Sequence, residues 1–130
     1  MLAKLITNIL ANDANLTSLI PSTSMYPYVM NSGTPLPGIV YTIDSIIPEY
    51  DKSGWADDQC IFSVVSFSDN YAILQSIVSA VRSALELKTG TYENISIDKI
   101  YLTGRLEGYN INEDVYLSKL TFSARLTTKV

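Results

Sequence analysis

Residues 59–87 read QCIFSVVSFSDNYAILQSIVSAVRSALEL. Within this stretch the spacing of apolar residues changes from every second position to every third or fourth position. In the first nine positions Cys60, Phe62 and Val64 alternate with other side chains, which is the period of a β-strand. The intervening positions also include Ile61 and Val65, so both faces of this strand are partly apolar. We therefore expect a central strand, or one whose second face is covered.

The remainder of this stretch predicts an amphipathic helix of about 18 residues, about 27 Å long. The segment 68–70 offers capping oxygens directly before the helix, and Gly90 is placed to end it in a left-handed turn. Apolar residues recur at spacings of three and four and predict one buried face, made of Ile73, Leu74, Ile77, Val78, Val81, Ala84 and Leu85.

The N-terminal third predicts two short helices followed by a loop. Apolar spacing predicts an amphipathic helix from about residue 2 to 11. Asn15 is the expected cap of a second helix, which Pro21 stops. The segment 21–38 contains four of the five prolines and is predicted to be loop. An irregular segment of this length is uncommon in a small domain unless it binds something or wraps a surface.

Period-two patterns predict the other strands. One runs from Ile39 to Ile47, with Ile43 and Ser45 on the same face. The polar, acidic segment 48–58 joins it to the central strand as a long hairpin arm. A third strand with a register break covers about residues 95–106, the chain turns at 108–112, and a terminal strand covers residues 116–127.

The predicted order is helix, helix, strand, strand, helix, strand, strand. This order favours an α+β fold with a four-stranded, mainly antiparallel sheet and helices packed on one face. The chain has 130 residues, of which 47% are apolar and 17% charged. That size and composition fit one domain, residues 1–130, with one hydrophobic core.

Composition excludes several kinds of chemistry. The chain has a net charge of −4, no His and a single cysteine, Cys60. His-based triads, imidazole metal sites and an intrachain disulfide framework are therefore excluded. The nine basic residues are scattered singly, which argues against a general nucleic-acid binder. Cys60 lies within a strand pattern without a nearby base, and we expect it to be a buried small hydrophobe.

Nothing in the sequence predicts a membrane segment or an exported chain. No run approaches the roughly 20 apolar residues of a spanning helix. The start of the chain lacks an uninterrupted apolar core and a clear cleavage site, so it is a poor signal peptide. We expect a product made in the cytoplasm.

Two acidic groups are the candidates for a cation site or catalytic carboxylates. Neither has the spacing of a 12-residue calcium loop, and no phosphate-binding or nucleophile motif is present. We therefore predict no catalytic, cofactor or metal residues and interpret both groups as solvated loop charge, with metal binding and catalysis as alternatives. The groups are Glu49, Asp51, Asp57 and Asp58 in the arm, and Glu107, Glu113 and Asp114 near the second turn.

Large aromatic side chains are frequent in the predicted loops. Tyrosine and tryptophan are enriched at protein interfaces, but they also fill ordinary gaps, and both interpretations stay open here. A sheet with apolar residues on both faces has more apolar surface than one small domain can cover, which predicts an oligomer. The candidate interface or channel residues are Tyr26, Tyr28, Glu49, Tyr50, Asp51, Trp55, Asp57, Asp58 and Tyr109.

Several strings and their order resemble the phage tail-completion family, also called tail terminator or head–tail joining proteins. Together they extend over nearly the whole chain, but each is a packing pattern and not a chemical motif. They are LTSLI at 16–20 followed by MYP at 25–27, PLPGIVY at 35–41, FSVVSFSDNY at 62–71, IVSAVRSAL at 77–85, and LSKLTF at 117–122.

The resemblance implies a structural subunit without enzymatic activity or cofactor. It implies an α+β protomer that assembles as a ring, typically a hexamer, in the neck or tail of a virion made in a bacterial cytoplasm. Such a ring caps the last tail-tube ring, stops polymerisation and presents a surface to the head connector or stopper proteins. DNA then passes through the ring without specific binding.

The resemblance suggests a mechanism and leaves two other classes open. Edge strands of neighbouring protomers would pair around the ring, and carboxylates of the arm at 48–58 would face the channel and repel DNA. Whether that arm faces the channel or a partner stays open. The alternatives are another neck, stopper or tail-ring adaptor of the virion, and a small non-viral binding module or enzyme.

Overall fold

The computed structural model describes residues 2–28, 36–52, 54–92 and 95–128. Helices and strands in these ranges confirm the α+β class. The helices are α1 Leu2–Ala11, α2 Ala14–Leu19 and α3 Tyr71–Leu85. The strands are β1 Met25–Pro27, β2 Gly38–Asp51, β3 Gly54–Ser68, β4 Gly90–Tyr92, β5 Ile95–Ile97, β6 Tyr101–Asn110 and β7 Val115–Thr128.

The described strands form one sheet in the order β1-β2-β3-β7-β5-β4, and β6 pairs with β7 beside β5. The four long strands β2, β3, β7 and β6 are adjacent and antiparallel. The predicted count of four strands was wrong, because β1, β4 and β5 add three more. Strands of three residues are too short to show a recognisable period.

The first two helices differ from the prediction only at one cap. The range of α1 matches the prediction. The cap of α2 is Asp13, not Asn15, because the Asp13 carboxylate accepts the N–H groups of Asn15 and Leu16 at 2.9 and 3.1 Å. Asn15 therefore lies inside the helix that it was expected to start.

Helix α3 begins as predicted but is shorter, with 15 residues. The Asn70 side chain accepts the N–H of Ile73 at 3.1 Å and caps the start. The predicted stop at Gly90 was wrong. Leu87 instead takes the left-handed conformation, with φ at 61°, and donates its N–H to the Ile100 carbonyl at 2.6 Å. Gly90 pairs with Ile97 in the sheet.

The segment predicted as loop contains regular structure, so that prediction was partly wrong. A 3₁₀ turn at Ser22–Ser24 leads into β1, which pairs parallel to β2 with Met25 opposite Ile39. Met25 is buried in the core, and β1 itself ends in a proline, Pro27, which hides its short strand pattern. Residues 29–35 of this segment lie outside the described residues.

The hairpin arm is confirmed, but it consists of strand rather than irregular connection. β2 continues through Pro48, which pairs with Asp58, and the chain reverses between Asp51 and Gly54. The turn predicted at 108–112 occurs at 111–114.

The register break expected in the third strand separates β5 from β6, and both pair with β7. The predicted strand from 95 to 106 is therefore two strands joined by residues 98–100.

The core lies between the helices and one face of the sheet, called the inner face here. Phe62 of β3 and Phe122 of β7 stack with ring centroids 5.4 Å apart, at the centre of this face. Buried residues of all three helices belong to the same core cluster. Cys60 is fully buried, as predicted, and burial together with the charge of Asp58 raises the pKa of its thiol to about 11.

A β-bulge in β2 changes the faces of the residues that follow it. Ile43 pairs with Phe62, but Ser45 pairs with Ile61, so Asp44 is the extra residue. Ser45 therefore shares a face with Ile61 and not with Ile43, and the predicted alternation beyond Ile43 was wrong. An inserted residue shifts every later side chain to the opposite face.

Candidate assembly interface

The sheet face opposite the helices, called the outer face here, is apolar at one end. Cross-strand register places Val40, Val65, Lys119 and Leu106 side by side on β2, β3, β7 and β6. Tyr26 of β1 lies next to Val40 and is half-buried. Val40 is buried but does not belong to the core cluster beneath the helices.

The middle of the outer face is a row of hydroxyl groups. Thr42, Ser63 and Thr121 lie opposite one another on three neighbouring strands. The Asp44 carboxylate accepts hydrogen bonds from Thr42 Oγ1 at 2.9 Å and from Ser63 Oγ. The β-bulge brings this carboxylate onto the row.

The far end of the outer face is charged and includes two of the predicted acidic residues. Glu49 and Asp57 lie directly opposite each other in the arm. Arg125 of β7 contacts both carboxylates, at 3.6 Å to Glu49 and 3.8 Å to Asp57. Thr127 Oγ1 also donates to Asp57 at 2.7 Å. Arg125 offsets the repulsion that two opposed carboxylates would otherwise cause.

The arm and the part of β2 that leads into it present large side chains to solvent. Ile46 and Ile47 lie just before the arm on opposite faces of β2, and Ile47 is 55% exposed. Beyond the contact with Arg125, Tyr50 is 72% exposed. The side chains of Asp51 and Trp55 lie outside the described residues. The base of the arm therefore carries exposed apolar surface on both faces.

A second cluster attaches β6 to the start of α3 on the other side of the molecule. Glu107 of β6 accepts hydrogen bonds from Gln75 Nε2 at 2.8 Å and from Tyr71 Oη at 3.1 Å. These hydrogen bonds lower the pKa of Glu107, with the one from Gln75 contributing most. The hydrogen bond to Glu107 raises the pKa of Tyr71.

Three aromatic rings extend this cluster towards the β6–β7 turn. Tyr116 packs edge-on against Tyr71 at 5.4 Å between ring centroids and against Tyr109 at 4.8 Å. The Tyr109 hydroxyl donates to the Asp114 carboxylate, and this hydrogen bond raises the pKa of Tyr109. We call Tyr71, Gln75, Glu107, Tyr109 and Tyr116 the tyrosine clamp.

The predicted interface residues do not converge on one place. Glu49 and Asp57 meet at Arg125, whereas Asp58 pairs with Pro48 and Leu126 on the opposite face of the arm. Tyr109 belongs to the other hairpin. Tyr28 is exposed at the end of β1, where its N–H donates to the Tyr41 carbonyl at 2.9 Å.

Sequence analysis missed the residues that connect these groups. Arg125 is 68 to 76 positions from its partners, and Gln75 and Tyr71 are 32 and 36 positions from Glu107. Pairs this far apart leave no local pattern. Glu107 and Asp114, which sequence placed in one acidic group, have different tyrosine partners in the structure.

The described acidic side chains do not gather around a common point. Within the four described ranges, no group of three or more acidic or cysteine side chains is arranged to hold a metal ion. The part of the chain that the structure describes also has no helix long and apolar enough to cross a membrane.

One open depression of about 370 Å³ lies where β6 begins. Gln59, Lys99, Tyr101 and Arg125 are among its lining residues, and Gln59 Nε2 donates to Ser123 Oγ at 2.6 Å beside it. The depression is polar and opens on the outer face, so it is continuous with the surface already described.

Comparison with known proteins assigns the family. No curated protein gives a significant sequence match. A chain in the solved virion of a native gene transfer agent particle has the same fold, with a TM-score of 0.78 and 21% sequence identity over 97% of this chain and 94% of that chain. The family model described as tail completion protein gp17 matches residues 4–127. The chain therefore belongs to this tail completion family and is a structural protein of the bacteriophage virion tail.

Proposed function

We propose that the chain forms a hexameric ring at the head-proximal end of the tail. There it terminates assembly of the tail tube and joins the tail to the head connector. The subunit acts by contact alone, without catalysis or a cofactor. Its partners are further copies of itself, the tail-tube protein on one side of the ring and connector or stopper proteins on the other.

The observation that carries this proposal is the one-sided coverage of the sheet. The helices cover the inner face, while the outer face carries half-buried apolar side chains such as Val65 and Phe67. Exposed apolar residues also lie along β2 and β6. Contiguous exposed apolar surface on a small domain marks a protein interface, and repeated association of identical subunits closes into a ring when the rotation permits.

The outer face is suited to line a channel for DNA. Its apolar end would contact protein, and its middle and far end carry hydroxyl groups and carboxylates. Asp44, Glu49 and Asp57 lie on this face against Lys119 and Arg125, so its acidic groups outnumber its basic groups. A surface with few free cations does not hold the phosphate backbone, and DNA can slide past it.

Assembly is tested first on the purified chain. Native mass spectrometry and analytical ultracentrifugation should detect a closed ring, alone or after addition of the tail-tube protein. A phage lacking this gene should make tails of uncontrolled length that do not join heads. A strict monomer in the presence of both tube and connector proteins would overturn the proposal.

Cryo-electron microscopy of the particle tests the position of the ring. Density for this fold between the last tube ring and the connector supports a terminator. Density in another ring of the neck would instead assign an adaptor or stopper role, which is the alternative function compatible with this fold.

The channel placement is tested with two double variants. Glu49→Gln with Asp57→Asn neutralises the pair on the outer face, and Asp69→Asn with Glu113→Gln removes the same charge elsewhere. We expect the first variant to assemble tails and to lower DNA delivery, and the second to behave as wild type. Equal infectivity of both variants would reject the placement of Glu49 and Asp57 in the channel.

A further inference from the structure

We propose that the ring closes through one specific contact: the free edge of β6 in one copy pairs antiparallel with the free edge of β2 in the next copy. This inference rests on the proposed ring and names the surfaces that build it. The pairing uses residues 42–47 of β2 and residues 101–106 of β6, and it continues the sheet from subunit to subunit.

Both strands have edges without a partner strand among the described residues. β1 pairs only with residues 39–41 of β2, so β2 has no partner strand on this edge from Thr42 onwards, and the contact there is a hydrogen bond at 3.5 Å from Tyr28 Oη to the Ile43 carbonyl. β6 pairs with β7 on one side, and its side chains are exposed at nearly every position. Open edges present unpaired N–H and C=O groups that template pairing with another strand.

The β6 edge is not strongly protected against such pairing, whereas the β2 edge has a β-bulge at Asp44. β6 contains no proline and has a single register shift, between Leu102 and Gly104. Natural edge strands are usually kept apart by proline, inward-facing charge, marked bulges or short length. An unpaired edge strand of ten residues exposes a long row of backbone N–H and C=O groups and promotes aggregation unless a partner covers it.

Pro48 limits the pairing on β2. A proline has no N–H to donate, so ladder pairing along this edge ends before it. The open stretch from Thr42 to Ile47 has six residues, about 20 Å at 3.4 Å per residue. Beyond Pro48 the arm reaches further along the neighbour and contacts it through side chains such as Tyr50.

The direction of the strands requires an antiparallel junction. β2, β3, β7 and β6 lie in this order and alternate in direction, so the first and the last run opposite ways. A rotation about the ring axis preserves the direction of each strand along that axis. The next copy's β2 therefore runs opposite to β6, and the alternation continues without a break across the junction.

Charge favours contact between unlike edges over contact between like edges. Within the proposed contact, residues 42–47 of β2 contain one charged residue, Asp44, and residues 101–106 of β6 contain one, Arg105. Lys99 lies two residues before β6, and Glu107 follows the contact. Two copies joined through β2 on a twofold axis would bring two Asp44 carboxylates together, whereas β2 against β6 brings Asp44 to an edge that carries Arg105.

Exposed apolar side chains lie along both edges and add to the contact. On β2 these are Ile46, Ile47 and Tyr50, and on β6 they are Tyr101 and Leu106. Leu106 is 62% exposed in the single chain. Association would bury these side chains and offset part of the entropy lost on assembly.

Hydrogen exchange of the wild-type protein tests the pairing without any substitution. Backbone amides in residues 42–47 and 101–106 should exchange about tenfold or more slowly in the ring than in the monomer, since pairing protects N–H groups. Amides on the exposed side of α1 should be unchanged. A ring that forms while exchange at both edges stays as fast as in the monomer would overturn the edge pairing and leave the ring itself standing.

Chemical cross-linking separates unlike from like edges. Ser45→Cys and Thr103→Cys are prepared singly, mixed, assembled and treated with a short bismaleimide, and the buried Cys60 gives little background. Covalent dimers should form in the mixture and not in either variant alone. Dimers from Ser45→Cys alone would show β2 against β2, and an assembled mixture without dimers would place the contact elsewhere; either result overturns the proposal.

Discussion

The two hairpins of this protein are alike in sequence character but are fixed in different ways. Both are acidic near their turns and carry exposed tyrosine. The β6–β7 hairpin is attached to α3 by hydrogen bonds from Gln75 and Tyr71 to Glu107. The β2–β3 arm extends beyond its contact with Arg125 and presents apolar side chains to solvent. Similar composition therefore gives one docked hairpin and one projecting arm.

The difference indicates separate roles in assembly. A hairpin held by several hydrogen bonds and ring contacts keeps its edge strand in a fixed position, which a repeating contact needs. An arm that projects is available to reach across a junction to the next copy. In the proposed ring, the tyrosine clamp would position the β6 edge, and residues 42–47 at the base of the arm would pair with it.

The largest effect on the free energy of unfolding is expected in the core, where β3 and β7 pair and so connect the two hairpins. Phe122→Ala removes a fully buried ring that stacks on Phe62. We expect a loss of about 3–5 kcal/mol in the free energy of unfolding, because a cavity replaces the ring. Urea denaturation followed by circular dichroism measures it. A loss below about 1 kcal/mol would mean that this pair does not anchor the two hairpins.

A smaller effect, an increase in the free energy of unfolding, is expected for a substitution in β7 of the docked hairpin. The Ser118 hydroxyl is buried without a hydrogen-bond partner among the described residues, whereas the buried Ser63 hydroxyl bonds to Asp44. Ser118→Ala should raise the free energy of unfolding by about 1 kcal/mol, and the matched change Ser63→Ala should lower it by about 1 kcal/mol. Thermal unfolding of both variants checks the contrast, and two shifts of the same sign would contradict it.

Acid should loosen the docked hairpin. Hydrogen bonds from Gln75 and Tyr71 lower the pKa of Glu107 in the folded protein. The clamp's contribution is therefore complete above the ordinary glutamate pKa of about 4.3 and is lost as the pH falls through the lowered value.

Carbon-detected NMR titration of the Glu107 carboxyl group tests this prediction. Its midpoint should lie below the ordinary value and move upwards in Tyr71→Phe. A midpoint at the ordinary value in the wild-type protein would show that the clamp does not hold this carboxylate.

The smallest effect is expected at the base of the arm. Arg125→Gln removes the cation between Glu49 and Asp57, but these groups are partly exposed to solvent. We expect a loss of about 0–1 kcal/mol that decreases with added salt. Arg82→Gln, which breaks the exposed pair with Glu86 on α3, is the matched control. Faster amide exchange in the arm of the first variant alone would confirm the local role of Arg125.

Sequence patterns predicted the long elements well and the short ones poorly. The amphipathic face of α3 and the alternation of β3 depend on side chains within one element. Both predictions hold except at Ile73, which was expected on the buried face of α3 but is 42% exposed at the start of the helix. Asp13 was missed as a cap because Asn15 offers the same chemistry two residues later. Strands β1 and β4 were missed because three residues in extended conformation pair only when a neighbouring strand is already present.

The role of the candidate interface residues stays a prediction, but the structure shows how they are arranged. Tyr28 and Tyr50 are exposed, whereas Glu49, Asp57 and Asp58 are partly buried. Their grouping was not predictable. A bulge at Asp44 moves later residues to the other face, and no residue type signals that one extra position is inserted there.

The amino-acid sequence alone determined the class of this protein, because apolar periodicity of period two and 3.6 dictates which residues must be buried in helices and strands. Its resemblance to tail-completion proteins lies in the same packing patterns. Only the tertiary structure decided which strand edges stay open, and which carboxylate meets Arg125 and which meets Tyr71. Those contacts join residues 32 to 76 positions apart, and such distances are closed by the folding of the whole sheet and not by local preference.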